Sequence, residues 1–324
     1  MPMPQVARRA LIFAPLASPA LAQRFPDRSI RVLLPWTPGG ATDIQVRAIS
    51  DVASRILGQS VVVENRPGAS GTLGAQHLAR EARPDGYTIG QMPLGVFRLA
   101  AMMRAAGMAP PYDPLGSFTW IIRTVGYMGG VVVRPDAPWQ SMAELVEHSK
   151  RVPGGVSYAS GGVGGSNHLA GELLRLRTGA NLVHIPYANQ AQAVNDVVAG
   201  HVPMLIYTVA ILPHVQAGRL RALAVTAEER QPQAPELPTA IEQGVPDVVA
   251  NSWFAFFGPP RLPEPIRDRL WEVLRRALAD PAIHQKLVET GLTPAPLGPE
   301  ALRRFQIEEI AKWTEVGRAA GVRI

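Results

Sequence analysis

Residues 30–47 read IRVLLPWTPGGATDIQVR, and this stretch decides the fold. The apolar run 30–34 is a buried strand. Pro35, Trp36, Thr37, Pro38, Gly39 and Gly40 break it with a tight turn. Thr42 follows, with Gln45 three residues on, which is the spacing of a capping box, so the spacing predicts a helix that opens with a Thr42 cap. A strand, a glycine turn and a helix start aim free backbone N–H groups at one point. The helix end adds roughly half a positive charge. Such a place suits carboxylate or phosphate. A single turn of this kind is also what an ordinary βα connection looks like.

The pattern recurs. Residues 60–64 form a second strand, and the glycine turn through Gly68, Ala69, Ser70 and Gly71 leads into a helix over 72–83. A third strand starts at 87, with Met92 and Pro93 in the loop behind it. Residues 155–159 form another strand. The turn Ser160, Gly161, Gly162 to Ser166 follows, with Ser166 capping a helix whose Leu169, Leu173 and Leu176 have core spacing. Residues 182–186 and 202–207 are strands ending at Tyr187 and at Tyr207-Thr208. Strands alternating with helices predict βαβ units and parallel sheets. Glycines at 126, 129 and 130 mark one crossing between two domains, and 220–226 marks the return. The division expected is 23–124 plus 227–324 for one lobe and 125–226 for the other. Helices over 264–278 and 299–317 close the chain, the first with an apolar stripe at 266, 270, 273, 274 and 277.

Composition narrows the function. The chain has 324 residues, 47 % hydrophobic and 18 % charged, the profile of a packed protein large enough for two domains. There is no cysteine, which excludes disulfides and thiolate chemistry. Residues 1–22 read as a cleavable export signal: Arg8 and Arg9, a short apolar core, then Ala20-Leu21-Ala22. The paired arginines are compatible with a twin-arginine route, although the rest of that signal is absent. A membrane anchor needs ~20 apolar residues, and this core is shorter. No basic run with interleaved aromatics is present, so nucleic acid is not an expected partner.

Three glycine turns with small polar side chains point to a small anion held by amides and hydroxyls. No Gly-Lys-Ser/Thr follows any of them, so a phosphate loop is excluded. No metal-ligand spacing appears and no cofactor is expected. A Ser160, Ser166, His168 and Asp43 constellation is imaginable, but the Gly-x-Ser-x-Gly elbow is missing. His168 at a helix start is disfavoured as imidazolium, and reads as a hydrogen-bond donor or a packed side chain. Trp36, Tyr187 and Tyr207 are candidate walls of a cleft or core aromatics.

Together these residues resemble a known family. PWTPGG-x-x-D (35–43), ENRPGA-x-G (64–71), DGYT (85–88), YASGG…SNHLAGE (158–172), HIPY (184–187) and LPHVQAGRLRALA (212–224) occur in order along the chain. The pattern is similar to the Bug family, the periplasmic solute-binding components of tripartite tricarboxylate transporters. The resemblance implies a type II periplasmic binding protein with two α/β lobes, monomeric and not an enzyme. It implies a small organic acid in the cleft, held partly through water, and a membrane permease as partner. On the matching positions, Trp36, Thr37, Gly39, Gly40, Thr42 and Asp43, with Gly68, Ala69, Ser70, Met92 and Pro93, would line the first lobe's side. Ser160, Gly161, Gly162, Ser166, Asn167, His168, Tyr187, Tyr207 and Thr208 would line the second's. Two departures bear on the ligand. Ala188-Asn189 replaces a common Lys-Gly, and Tyr207-Thr208 stands where amino-acid binders often carry an aspartate. A non-amino carboxylate is therefore favoured. An extracytoplasmic sensor and a serine hydrolase are the competing readings.

Overall fold

The computed structural model describes residues 25–322 except 69–70, 128, 188–189, 209–210, 232–233 and 246. The expected export signal, Ala69 and Ser70 lie outside the described residues. The chain first runs β1 (Ile30–Leu34), α1 (Ala41–Leu57), β2 (Val61–Asn65), α2 (Thr72–Arg80), β3 (Thr88–Pro93), α3 (Leu94–Ala105) and β4 (Thr119–Tyr127). It continues with β5 (Gly129–Val133), α4 (Met142–Arg151), β6 (Val156–Ser160), α5 (Ser166–Thr178), β7 (Leu182–Pro186), α6 (Gln190–Ala199), β8 (Met204–Thr208), α7 (Leu212–Gln216) and β9 (Arg221–Val225). It ends with β10 (Ser252–Gly258), α8 (Glu264–Leu278), α9 (Pro281–Glu289), β11 (Thr293–Leu297) and α10 (Pro299–Ala319).

Two sheets result, ordered β11-β4-β10-β3-β1-β2 and β7-β6-β8-β5-β9. The βαβ strands pair in parallel as expected: β1 with β2 and β3, and β6 with β7 and β8. The sheets are nevertheless mixed. β10 is antiparallel to β3 and β4, and β5 is antiparallel to β8 and β9. Parallel pairing needs a crossover long enough for a helix. β5 arrives straight from β4 in the other sheet, so that constraint is absent.

The two crossings lie side by side. Thr226 N donates to Gly129 O, and Ala250 N donates to Thr226 O, both at 2.9 Å. A Cβ on Gly129 would stand 2.8 Å from Thr226 Oγ1, so only glycine fits this approach. β4 ends at Tyr127 in the first sheet and β5 starts at Gly129 in the second, within the stretch that Gly126, Gly129 and Gly130 mark. The connector after β9 bonds to both lobes: Thr293 Oγ1 donates to Gln231 Oε1 at 3.2 Å and Lys312 Nζ to Val249 O at 2.9 Å on the first lobe's side. On the second lobe's side, Val225 N donates to Pro238 O, Ala240 N to Val225 O, and Met142 N to Gln243 Oε1.

α1, α8 and α9 cover one face of the first sheet, with Val32, Ile49, Phe256 and Leu274 in the core between them. α2, α3 and α10 cover the other, around Phe97, Trp253 and Trp313. α10 also packs on α5, so it straps the two lobes together. Leu169 and Leu173 are buried in α5 as expected, whereas Leu176 is exposed and Leu174 takes its place in the core.

Candidate functional site

Each glycine turn delivers a helix start. Thr37 to Gly40 are exposed at the end of the buried strand β1. α1 begins at Ala41 with Gly40 as its N-cap and no side-chain cap. The expected Thr42 cap is not made, because the helix opens before it and Thr42 sits inside the first turn. Gln45 is buried rather than reaching back.

Asp43 organises this turn. Its Oδ2 accepts Gly39 N–H and Arg47 Nε–H, each at 3.0 Å, and its Oδ1 accepts Asn65 Nδ2–H at 2.9 Å. Asn65 Nδ2 also donates to the Trp36 carbonyl at 2.9 Å, and Arg47 Nη2 donates to Asn65 Oδ1 at 2.7 Å. The Arg47 hydrogen bond, helped by Asn65 and Gly39 against the penalty of burial, holds the carboxyl at about 2, below the usual range. Both Asp43 oxygens are consumed, so it shapes the turn rather than facing a ligand. Arg47 and Asn65 are absent from the sequence-based site. The Trp36 indole is half-buried beside the turn, against the α1 side of the core.

α2 starts after Gly71, which has φ of 90°, and again carries no side-chain cap. A Cβ on Gly71 would meet Val96 Cγ1 at 3.1 Å and Pro35 Cβ at 3.3 Å. The start of α2 is therefore pressed between Pro35, at the end of β1, and the first turn of α3. Met92 and Pro93 are not in a loop. They end β3, Met92 is wholly buried in the core, and Pro93 is the N-cap of the unforeseen helix α3.

The turn behind β6 opens α5 with Gly165 as N-cap, once more without a side-chain cap. Ser166 is the first helical residue instead of the cap. Its Oγ accepts Arg98 Nη2–H at 3.1 Å and donates to Ser252 Oγ at 3.4 Å. Arg98 Nη2 also donates to Gly164 O at 3.3 Å. Leu99 Cδ1 would lie 3.8 Å from a Cβ on Gly164. The body of α3, through Arg98 and Leu99, thus joins the first lobe to the 164–166 turn.

A comparison with protein-family models matches residues 45–322 to "Tripartite tricarboxylate transporter family receptor". The chain belongs to that family. Protein BugT of Bordetella pertussis is 34 % identical over 316 residues, covering 96 % of this chain and 95 % of BugT. The solved structure "R. palustris Rpa4515 with adipate" is 31 % identical with a TM-score of 0.80, covering 92 % of this chain and 99 % of that one. MatC from Rhodopseudomonas palustris with bound malate is 28 % identical with a TM-score of 0.76, covering 90 % and 99 %. The two-lobe periplasmic binding-protein fold follows, and the family is one of receptors, not enzymes.

The remaining residues of this receptor's turns are read in that light. Ser160 is fully buried, and its Oγ pairs with His184 Nε2 at 2.6 Å while accepting Gly162 N–H at 3.3 Å. The His184 ring stacks on His168 with centroids 3.9 Å apart. His168 Nδ1 accepts Gly164 N–H at 3.0 Å, which leaves the proton on Nε2, 3.7 Å from Glu172 Oε1. Burial above all keeps both imidazoles neutral, with pKa values lowered to about 4. His168 is therefore a packed side chain whose Nδ1 accepts a hydrogen bond from the turn. The Ser160–His184 contact resembles half of a hydrolytic triad, yet the buried hydroxyl and the stacked ring serve to fix the turn.

Two aromatic candidates are structural. Tyr187 OH donates to Asp196 Oδ2 at 2.7 Å and ties β7 to α6. Tyr207 is buried beside Val132, Ala159 and Val197. Gly161 is exposed, and Gly162, Asn167 and Thr208 are half-buried, at the ends of β6 and β8 and the start of α5. A surface hollow of about 510 Å³ lies at the other end of α3, lined by Ala101, Arg104, Leu115, Ile310 and Arg318, away from these turns.

Proposed function

We propose that this receptor is exported, captures a small organic carboxylate between its lobes, and delivers it as a monomer to the membrane permease of a tripartite tricarboxylate-type transporter. The observation that carries this reading is the set of glycine N-caps at Gly40, Gly71 and Gly165. A glycine N-cap has no side chain to lay over the first N–H groups, and at the starts of α1 and α5 no side-chain cap is made among the described residues. Gly40 is the telling position. Its φ is −77°, and a Cβ there would meet no atom within 4 Å, so neither conformation nor packing demands glycine. A ligand brought up to the amides does demand it. Malate in MatC and adipate in Rpa4515 set the class of acid to try.

Ligand contacts from both lobes favour a closed arrangement, since only differential contact shifts such an equilibrium. Tyr207 and Thr208 offer no counter-charge to an ammonium group, which favours acids without an amine. Calorimetric titration of protein stripped of ligand by unfolding and refolding tests the reading, with malate, adipate, citrate, benzoate and aspartate as probes. Binding of at least one non-amino acid at micromolar concentration is expected. Silence towards all four non-amino acids rejects the carboxylate class. Tight amine-dependent binding of aspartate rejects the non-amino preference alone. Sequencing of periplasmic protein should find Gln23 first.

A further inference from the structure

Three acidic or basic side chains near these turns are enclosed, and they are treated differently. Asp43 is paired with Arg47 at 3.0 Å, and Glu172 with Arg175 at 2.8 Å. Arg98 is 0 % exposed and has no carboxylate partner among the described residues. Its Nη2 serves Gly164 O and Ser166 Oγ, while Nε and Nη1 are buried without an acceptor. The Trp313 ring lies 5.4 Å from Cζ. Glu309 attracts the guanidinium from further off, but its own burial pushes it towards the neutral form, and its Oε2 already accepts Trp313 Nε1–H at 3.1 Å. Burial lowers Arg98 to about 10, so it is charged at neutral pH.

An enclosed cation without a counter-ion is strongly unfavourable. This one also sits against the start of α5, whose end is positive as well. The two repel until an anion arrives. A hydroxyl has one proton to give and two lone pairs. Because Ser166 accepts from Arg98, what it can turn towards a ligand is its proton, which otherwise rests on Ser252 Oγ at 3.4 Å. The hydroxyls of Tyr127 and Ser252 lie within hydrogen-bonding reach of it.

We propose that Arg98 is the specificity-determining charge of the ligand site: it fixes Ser166 as a donor and supplies, from behind the 164–166 turn, the positive potential that selects a carboxylate. Tyr127, Ser166 and Ser252 form the floor of hydroxyls that this carboxylate meets. Arg98 is a positioning residue that acts through Ser166. The proposal rests on the carboxylate reading above.

The test uses the full mature chain, stripped of ligand, as wild type, R98M, R98K and S166A. The probe is whichever of malate, adipate, citrate and benzoate most raises the wild-type melting temperature, and its affinity is measured by calorimetry. R98M should bind the acid at least tenfold more weakly. R98K, which restores charge but not shape, should recover to within about threefold of wild type. The ligand-free R98M and R98K proteins should melt within a few degrees of each other. R98M binding within twofold of wild type overturns the proposal and leaves the carboxylate reading standing, and so does equal loss in R98M and R98K. If R98M does not melt cooperatively, S166A decides: a tenfold loss supports the proposal, and affinity within twofold of wild type overturns it. If none of malate, adipate, citrate and benzoate binds wild type, the carboxylate reading fails and the Arg98 proposal falls with it.

Discussion

The imidazoles of His168 and His184 stack face to face, 21° from parallel with centroids 3.9 Å apart. Protonating one would place a charge against its neighbour in a buried setting. Their pKa values, lowered to about 4, stand below the ordinary 6.5. An unfolded chain therefore takes up these protons first as pH falls. The stability they contribute is complete above about 6.5 and is lost as pH drops towards 4. Nitrogen NMR of the rings at pH 5.5 should find both neutral, with the His168 proton on Nε2. An imidazolium signal from either would contradict the packing.

Asp43 carries the opposite test. Replacing it with asparagine puts an N–H₂ donor against the Gly39 and Arg47 donors. Losing this charged acceptor should cost roughly 1–3 kcal/mol at pH 7. The folded carboxyl titrates at about 2 against an ordinary 3.8, so its contribution is present above about 3.8 and vanishes as pH falls through about 2. Denaturant melts of wild type and D43N should differ at pH 7 and converge near pH 2.

Gly39 and Gly40 separate conformation from contact. Gly39 has φ of 90°, so G39A should lose roughly 1–2 kcal/mol of stability from backbone strain. Gly40 has no such constraint, so G40A should melt within about 0.5 kcal/mol of wild type. Its Cβ would nonetheless stand where the amides meet a ligand, and affinity for the bound acid should fall about tenfold, equivalent to about 1.4 kcal/mol. Unchanged affinity in G40A would remove the 36–43 turn from the site.

Gly171 is a packing test behind the same turn. A Cβ there would stand 2.4 Å from Tyr158 Cζ, whose hydroxyl donates to His168 O at 3.1 Å and Glu172 Oε1 at 3.2 Å. G171A should destabilise by about 1–3 kcal/mol, as overpacked cores do. Thermal melts should show the loss while leaving one bound acid per chain.

The turns were legible because glycine, proline and small polar residues between apolar runs have few other uses. Side-chain direction was not. Asp43 looks like a ligand contact in one dimension, and only Asn65, brought over from the next strand, shows that it points into its own loop. α3 escaped notice because Leu94 to Met102 is buried almost throughout, which removes the polar face that helical periodicity needs. No element is expected where β11 lies, because Pro294 and Pro296 break any strand pattern, yet an edge strand tolerates prolines. Arg98 is a lone charge in that apolar run, and no motif or spacing singles it out. Its burial arises from the packing of α3 against α10 and α5, which no local pattern encodes.

The half-buried Trp36 indole lies in the turn that opens α1, its carbonyl pinned by Asn65. Trp120, Trp139, Trp253 and Trp313 are all sealed in the interior. Trp271 on α8 is the other half-buried indole, so emission from a W271F chain that still shifts with added acid reports from the Trp36 turn, and stopped-flow recording of that shift would time how fast cargo arrives and leaves.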